Sequence, residues 1–179
     1  MRKLIAALFI SLDGVAEAPD QWEFDSVDEG LMGELGSQLA EQDTVLLGRG
    51  TYDEWASYWP TSTDEPFASY INSTQKYVFS KTLERAEWQN TTLLKGDLSE
   101  EINRLKALPG KNMGTAGGPG LVRALVDRGL VDELTLAVFP VIAGKGKRLF
   151  GEDSPLQRMS FIRATPTPSG IVFLSYRPR

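Results

Sequence analysis

The chain has 179 residues, is 41% hydrophobic and 24% charged, and carries a formal net charge of −5, which suits one globular domain with a sizeable core and disfavours an unaided grip on a nucleic-acid backbone. It contains no Cys and no His, so disulfides, thiolate nucleophiles, Ser-His-Asp catalysis and Cys- or His-ligated metal sites are excluded. Any acid-base chemistry must fall to carboxylates, Lys, Tyr or water.

The N-terminus carries an apolar run that can be interpreted in two ways. Residues 1–18 imitate a secretory signal through a basic start, the apolar run and a small-residue triplet. The apolar run is short for such a signal, and Asp13 and Glu17 place charge before the supposed cleavage point. We therefore predict a β-strand at residues 3–10 that ends in a turn at residues 11–14. No run approaches the length of a membrane span, and we expect a cytoplasmic protein without a membrane partner.

The next segment, residues 15–24, is long, acidic and partly aromatic. This composition is typical both of a lid that folds over a site and of a plain surface loop. Leucines at a four-residue spacing then predict a helix over residues 28–42 that packs on a sheet.

A strand predicted at residues 44–47 ends in a Gly-Arg-Gly-Thr turn before a short helix. Glycines let a ligand approach the backbone closely, and the N–H groups of a first helical turn suit a phosphate. Arg49 adds a fixed positive charge that can grip a phosphate through two hydrogen bonds. The alternative is that Arg49 pairs with a surface carboxylate such as Asp53 or Glu54.

A third strand, predicted at residues 76–80, ends in Ser80-Lys81-Thr82. Hydroxyl and cationic groups at strand ends are found where ligands of open α/β sheets bind. Further along, we predict a strand at residues 88–94 and a helix at residues 98–108 that Pro109 and Gly110 stop.

Residues 111–150 predict a strand-helix-strand unit with Gly117 and Gly118 at its front turn. Pro119 suits the first turn of the amphipathic helix, and Gly129 suits the position just past its end. The almost entirely apolar residues 134–142 predict a strand that is buried on both faces and runs parallel to the strand that opens this unit. The glycine turn either approaches a phosphate or merely makes a tight turn.

Two antiparallel strands are predicted at residues 159–164 and 171–176. No repeat or linker divides the chain, so we expect a single domain over residues 1–179.

Between the apolar strand and this hairpin, Lys145, Lys147 and Arg148 either meet a substrate phosphate or face solvent.

Four stretches of the sequence resemble a known family. They are SLDGV at 11–15, LLGRGTYDEW at 46–55, YVFSK at 77–81 and AGGPGLVRALVDRGLVDELTLAVFPVIAGKGKRLF at 116–150. In this order they resemble the reductase domain at the C-terminus of the riboflavin-biosynthesis deaminase/reductase RibD, within the dihydrofolate-reductase-like superfamily. The resemblance implies an α/β three-layer fold, with a mixed, mostly parallel central sheet and flanking helices, that often forms a homodimer.

The resemblance also implies an NADPH-dependent reductase that holds its cofactor in an extended pose, without a metal. The residues matching the turn near the adenosine phosphates are Gly48, Arg49, Gly50 and Thr51, and those on the 2′-phosphate side are Ser80 and Lys81. The residues matching the pyrophosphate turn and the helix after it are Gly117, Gly118, Pro119, Gly120 and Leu121. The residues matching the strand and loop beside the nicotinamide are Ala7, Asp13, Gly14 and Val15.

The chain departs from its relatives in two ways. The deaminase half, with its His-and-Cys zinc site, is not present in this sequence. The carboxylate that assists pterin protonation in dihydrofolate reductases has no clear match, with Asp25, Asp28 and Glu34 as candidates. We therefore expect a reductase of a small heterocyclic or carbonyl substrate, pyrimidinone-like or pterin-like. The alternatives are a dinucleotide-binding protein without turnover and a dihydrofolate reductase proper.

The catalytic role expected of Asp13 also has an alternative. Its carboxylate either hydrogen-bonds the substrate and relays a proton through water, or caps its own turn.

Overall fold

A computed structural model describes residues 1–23 and 26–179, in which helices cover both faces of an eight-stranded sheet. The strands are β1 (Leu4–Ser11), β2 (Gln42–Gly48), β3 (Gln75–Phe79), β4 (Thr91–Leu94), β5 (Asn112–Thr115), β6 (Glu133–Phe139), β7 (Met159–Pro166) and β8 (Val172–Pro178). The helices are α1 (Glu29–Ala40), α2 (Arg49–Tyr58), α3 (Phe67–Ser73), α4 (Leu98–Ala107) and α5 (Pro119–Asp127). Phe24, from the predicted loop, and Asp25, one of the candidate carboxylates, lie outside the described residues.

The strands lie in the order β4-β3-β2-β5-β1-β6-β8-β7. The first six in that order are mutually parallel, whereas β8 runs antiparallel to β6 and β7 antiparallel to β8. This confirms the mixed, mostly parallel sheet and its C-terminal hairpin. It also places β1 between β5 and β6, so the crossover through α5 passes over a central strand.

Side chains alternate between the two faces along β1 and divide the core into two layers. Leu4 and Ala6 pack in one cluster with residues of α4 and α5. Phe9 points the other way and packs with Leu31 and Phe139 beneath α1. Helices α2 and α3 cover that same face over β2 and β3, so three layers result.

Capping residues explain where several helices begin and end. The Asp28 side chain accepts from Leu31 N (2.7 Å) at the start of α1. Gly118 (φ +55°) precedes α5, which starts at Pro119, and Gly129 (φ +66°) follows its end, as the sequence predicts. Among the described residues, no helix combines the length and apolar character needed to cross a membrane.

Two predicted strand boundaries are wrong. Strand β6 ends at Phe139 rather than at residue 142, because Pro140 lacks an N–H for the ladder and Val141 N turns back to Phe139 O (2.8 Å). Trp88 lies in the connection before β4 rather than in a strand. There its ring packs against Tyr52 and its Nε1 donates to Asn72 Oδ1 (2.8 Å).

A completely buried lysine ties α3 to β3. Lys76 Nζ donates to Ile71 O (2.7 Å) and Thr74 O (2.9 Å) and lies 4.5 Å from the centroid of the Trp88 ring. Burial lowers the pKa of Lys76 to about 8, because desolvation penalises the charged ammonium.

We predict that this lysine makes stability rise in alkali. Between pH 8 and the ordinary lysine pKa, the unfolded chain keeps a proton that the folded chain has released, so the free energy of unfolding increases with pH, by up to about 3 kcal/mol. Urea denaturation of the wild type and of Lys76→Met checks this. The wild type gains stability relative to the variant across that window, and a constant difference between the two would contradict the prediction.

Candidate functional site

A crevice opens in the middle of the sheet, at the carboxyl ends of the parallel strands. Strands β1 and β5 are paired only through Leu4 with Met113 and Ile5 with Gly114. Beyond that point β1 continues beside β6, and β5 turns away into α5. The connection after β1 runs to α1 on one face and the connection after β5 runs to α5 on the other, an arrangement that places ligand sites of open α/β sheets at this point.

A threonine side chain marks where the two strands separate. Thr115 Oγ1 accepts from Ala7 N (3.1 Å) and donates to Ala7 O (3.2 Å), which replaces the missing backbone ladder. Lys3 O accepts from Met113 N on the β5 side, whereas Leu4 O accepts from Asp132 N on the β6 side. Successive residues of a strand direct their backbone N–H and C=O groups to alternate sides. Phe9, like Lys3, therefore directs its N–H and C=O to the β5 side, which beyond Ile5 is the crevice.

The turns after β2 and β5 pack directly against each other. Gly117 and Gly118 have positive φ (+60° and +55°), and a Cβ on them would come within 2.7 and 2.6 Å of the Thr51 side chain. Leu121 in turn lies against Gly48, where a Cβ would sit 3.5 Å from the Leu121 Cβ. The first turns of α2 and α5 therefore meet at one edge, and both front glycines have a packing reason for lacking a side chain.

The turn after β3 joins the same edge through an arginine. Arg49 Nη1 donates to Thr82 Oγ1 (3.3 Å), and Arg49 Nε donates to both carboxylate oxygens of Asp53 (2.8 and 2.7 Å). The surface pairing that the sequence left open as an alternative is thus formed. The contact with Thr82 nevertheless brings the guanidinium to the predicted Ser80-Lys81 turn.

The hydroxyl of Ser80 stabilises that third turn. Ser80 Oγ accepts from Leu83 N (3.0 Å) and from Thr82 N (3.3 Å), which is the hydrogen-bonding pattern of a serine-capped turn. Lys81 is exposed at its tip. The three predicted turns therefore lie side by side, and we call this edge, residues 48–51, 80–82 and 117–121, the rim.

An open cleft of about 720 Å³ adjoins the rim beside the start of α5. It lies between Pro119, Gly120 and Arg123 on the helix and residues 147–152 opposite. A Cβ on Gly120 would meet no atom within 4 Å. Unlike Gly117 and Gly118, Gly120 thus faces free space.

Asp13 clamps two loops together. Its carboxylate accepts from Ser11 Oγ (2.6 Å), Ala143 N and Gly144 N (both 2.9 Å). The hydroxyl of Ser11, followed by the amide of Gly144, holds the pKa of Asp13 down at about 2. Asp13 thus holds its own turn through Ser11, as the capping alternative has it, and also anchors the loop at residues 143–144. Its catalytic role stays a prediction.

Further hydrogen bonds join the loop after β1 to residues 147–149. Ala16 N donates to Lys147 O (3.0 Å) and Leu149 N donates to Gly14 O (3.0 Å), and a short antiparallel bridge joins Val15 to Arg148. The basic side chains of this segment are also paired. Lys147 Nζ lies 3.4 Å from Glu17, and Arg148 Nη2 lies 3.7 Å from Asp13.

The described carboxylates at α1 are engaged in structural contacts. Asp28 caps the helix and also accepts from Ser169 N (2.7 Å), and the amide of Leu31 is the main cause that lowers the pKa of Asp28 to about 2. Glu34 Oε1 forms a salt bridge with Arg163 Nη2 at 2.8 Å. In the loop before α1, by contrast, burial raises the pKa of Glu23. Its Oε2 is buried without a partner in the described part of the chain.

Several residues of this region were missed by the sequence reasoning. Thr115 and Glu23 carry no motif of their own, because their roles depend on neighbours far away in the chain. Asp53 was recognised only as an alternative partner of Arg49. The four-residue spacing of this pair on one helix was the signal available.

Comparison with known proteins extends these observations. The protein "Uncharacterized protein YyaP" of Bacillus subtilis is 31% identical over 182 residues, which span 98% of this chain and 94% of that protein. A putative riboflavin biosynthesis protein of Shewanella sp. PV-4 has a similar structure, with a TM-score of 0.78, 23% identity and 99% of each chain covered. Dihydrofolate reductase from Enterococcus faecalis, complexed with NADP(H), aligns with a TM-score of 0.63 and 15% identity over 99% of this chain and 96% of that one.

A family model described as the RibD C-terminal domain matches residues 2–173. That match spans the crevice, the rim and the loop anchored by Asp13. The chain belongs to the RibD C-terminal domain family.

Proposed function

We propose that this protein is an NADPH-dependent reductase that transfers hydride to a small heterocyclic or carbonyl substrate, pyrimidinone-like or pterin-like. The observation that carries the proposal is the meeting at one rim, beside the crevice, of two glycine turns and one hydroxyl turn, with a cation on the first glycine turn and on the hydroxyl turn. Two helix N-termini meet there, so their unpaired N–H groups and dipole ends suit the pyrophosphate of a dinucleotide. Arg49 and Lys81 add charge for a further phosphate.

Open space at the rim fits such a ligand. The first turn of α5 faces the 720 Å³ cleft through Pro119 and Gly120, so a phosphate can approach its N–H groups. The backbone of Phe9 and the Ala7-Thr115 junction line the crevice. A flat ring bound in the crevice would contact these backbone peptide groups, which would fix its orientation.

The similarity to the NADP(H)-bound dihydrofolate reductase supports the proposal through the fold alone. When bound, the nicotinamide supplies the hydride, so the protein's task is to orient the reactants and exclude water. Asp13 keeps the loop after β1 closed against residues 143–149. The pKa of Asp13 is held at about 2, so this carboxylate is ionised near neutral pH, whereas burial raises the pKa of Glu23.

Two alternatives remain open to experiment. Of the three candidate carboxylates for a dihydrofolate reductase proper, Asp28 and Glu34 are engaged in structural contacts and so do not support it, whereas Asp25 lies outside the described residues. A dinucleotide-binding protein without turnover would keep the same rim and is distinguished only by its activity.

We predict that Gly120→Val blocks NADPH binding without harming the fold. The new side chain enters open space beside the first turn of α5, so it obstructs a phosphate rather than the protein. Loss of charge-assisted hydrogen bonds to those amides should weaken binding roughly tenfold or more. Titration of the pure protein, followed by nicotinamide fluorescence, measures the effect.

The matched control is Gly36→Val in α1, another exposed helical glycine whose Cβ would meet nothing within 4 Å. It should leave the affinity for NADPH unchanged. Equal affinities of wild type and Gly120→Val would remove the cleft from the cofactor site. Tight binding by the wild type without NADPH oxidation across pterins, pyrimidinones and quinones would favour the binding-protein alternative.

We predict that Arg49→Ala and Lys81→Ala weaken NADPH more than NADH. Each removes a cation from the phosphate that distinguishes the two cofactors, and a lost charge-assisted contact corresponds to roughly a tenfold change in affinity. The same titration with both cofactors measures this preference. Equal weakening of NADPH and NADH by Lys81→Ala would place Lys81 away from the 2′-phosphate.

We predict that Asp13→Asn lowers stability rather than selectively lowering the chemical rate. A depressed folded-state pKa stabilises the fold above the unfolded carboxyl pKa and loses that effect as the pH falls toward 2. The difference in thermal midpoint between wild type and variant should therefore be constant from pH 5 to 8 and shrink in acid. Normal stability and NADPH affinity combined with a large loss of turnover would instead support a catalytic Asp13.

A further inference from the structure

The carboxylate of Asp53 lies beside the cation that the proposed cofactor site depends on. Arg49 and Asp53 are one helical turn apart on α2, and both carboxylate oxygens accept from Arg49 Nε (2.8 and 2.7 Å). A guanidinium has five N–H groups. With Nε directed to Asp53 and one Nη1 hydrogen to Thr82, three N–H groups on the two Nη atoms remain for a ligand, and the Thr82 contact places Nη1 at the Ser80-Lys81 turn.

A phosphate bound at that turn would experience opposing charges. Arg49 and Lys81 attract it, whereas Asp53 repels it from the far side of the same guanidinium. The Asp53–Arg49 and Arg49–Thr82 contacts, 2.7 and 3.3 Å long, are short against the Debye length of about 10 Å at 0.1 M salt, so a phosphate bound by Arg49 feels the repulsion at ordinary ionic strength. The negative charge of Asp53 thus offsets part of the attraction that would favour a 2′-phosphate.

The same contact also restrains Arg49, which by itself would favour phosphate binding. The two side chains are, however, 40% and 51% exposed. Exposed ion pairs contribute little, because solvent screens them and holding two long side chains costs entropy. The repulsion acts on the two charges of a dianionic phosphate, so we expect it to exceed the restraint of Arg49.

We infer that Asp53 is a specificity-determining residue that reduces the preference for NADPH over NADH, an inference that rests on the proposed dinucleotide site. Without this carboxylate, the 2′-phosphate gains attraction while the pyrophosphate common to both cofactors cancels in the ratio. The wild-type site therefore discriminates between the two cofactors less than its two cations alone would dictate.

The test compares Asp53→Asn with Glu54→Gln. Each removes one negative charge from the exposed surface of α2, but Glu54 is turned about 100° around the helix from Asp53. The dissociation constants of NADPH and NADH are measured for both variants and the wild type, at low and at high salt. Thermal unfolding verifies that each variant is folded.

The expected result is that Asp53→Asn raises the ratio of the NADH to the NADPH dissociation constant roughly three- to tenfold at low salt. The change should be smaller at high salt and absent in Glu54→Gln. An unchanged ratio in Asp53→Asn would overturn the inference. A lowered ratio would also overturn it, because it would mean that Asp53 acts by holding Arg49 in place. If the wild type binds neither cofactor, the proposed function fails and this inference fails with it.

Discussion

The close packing of two helix starts is the constraint on which the rest of the site depends. Strands β2 and β5 are neighbours, and Ala116 N donates to Leu46 O (3.1 Å) just before the second turn. Thr51 then occupies the space that a side chain on Gly117 or Gly118 would need. Because both glycines lack a Cβ, the positive ends of α2 and α5 come together beside the crevice.

Electrostatic balance is the second feature of this region. Arg49, Lys147 and Arg148 each lie beside a carboxylate, that of Asp53, Glu17 or Asp13. Such pairs are partly exposed and contribute little to stability. These pairs instead change the electrostatic potential that a ligand would meet, because the carboxylates reduce the positive charge around the rim and cleft. The helix N-termini keep their unpaired N–H groups.

The sequence reasoning was most accurate where a local pattern has a local cause. Leucine spacing located α1, and Pro119 with Gly129 located both ends of α5. It failed where distant neighbours decide. The strand predicted to residue 142 stops at Phe139. The partners of Asp13 at residues 143 and 144 come from another loop, so no local pattern could reveal these contacts, and the catalytic role of Asp13 stays a prediction.

By itself, the sequence determined the α/β class, the three glycine or hydroxyl turns and the absence of Cys and His chemistry, because these depend on composition and short-range periodicity. Only the tertiary structure decided that the turns share one rim, since the strand order β3-β2-β5-β1 brings together segments far apart in the chain. It also decided where the crevice opens. That depends on β1 and β5 separating after two paired residues, with Thr115 bridging to Ala7, a long-range pairing that no local propensity encodes.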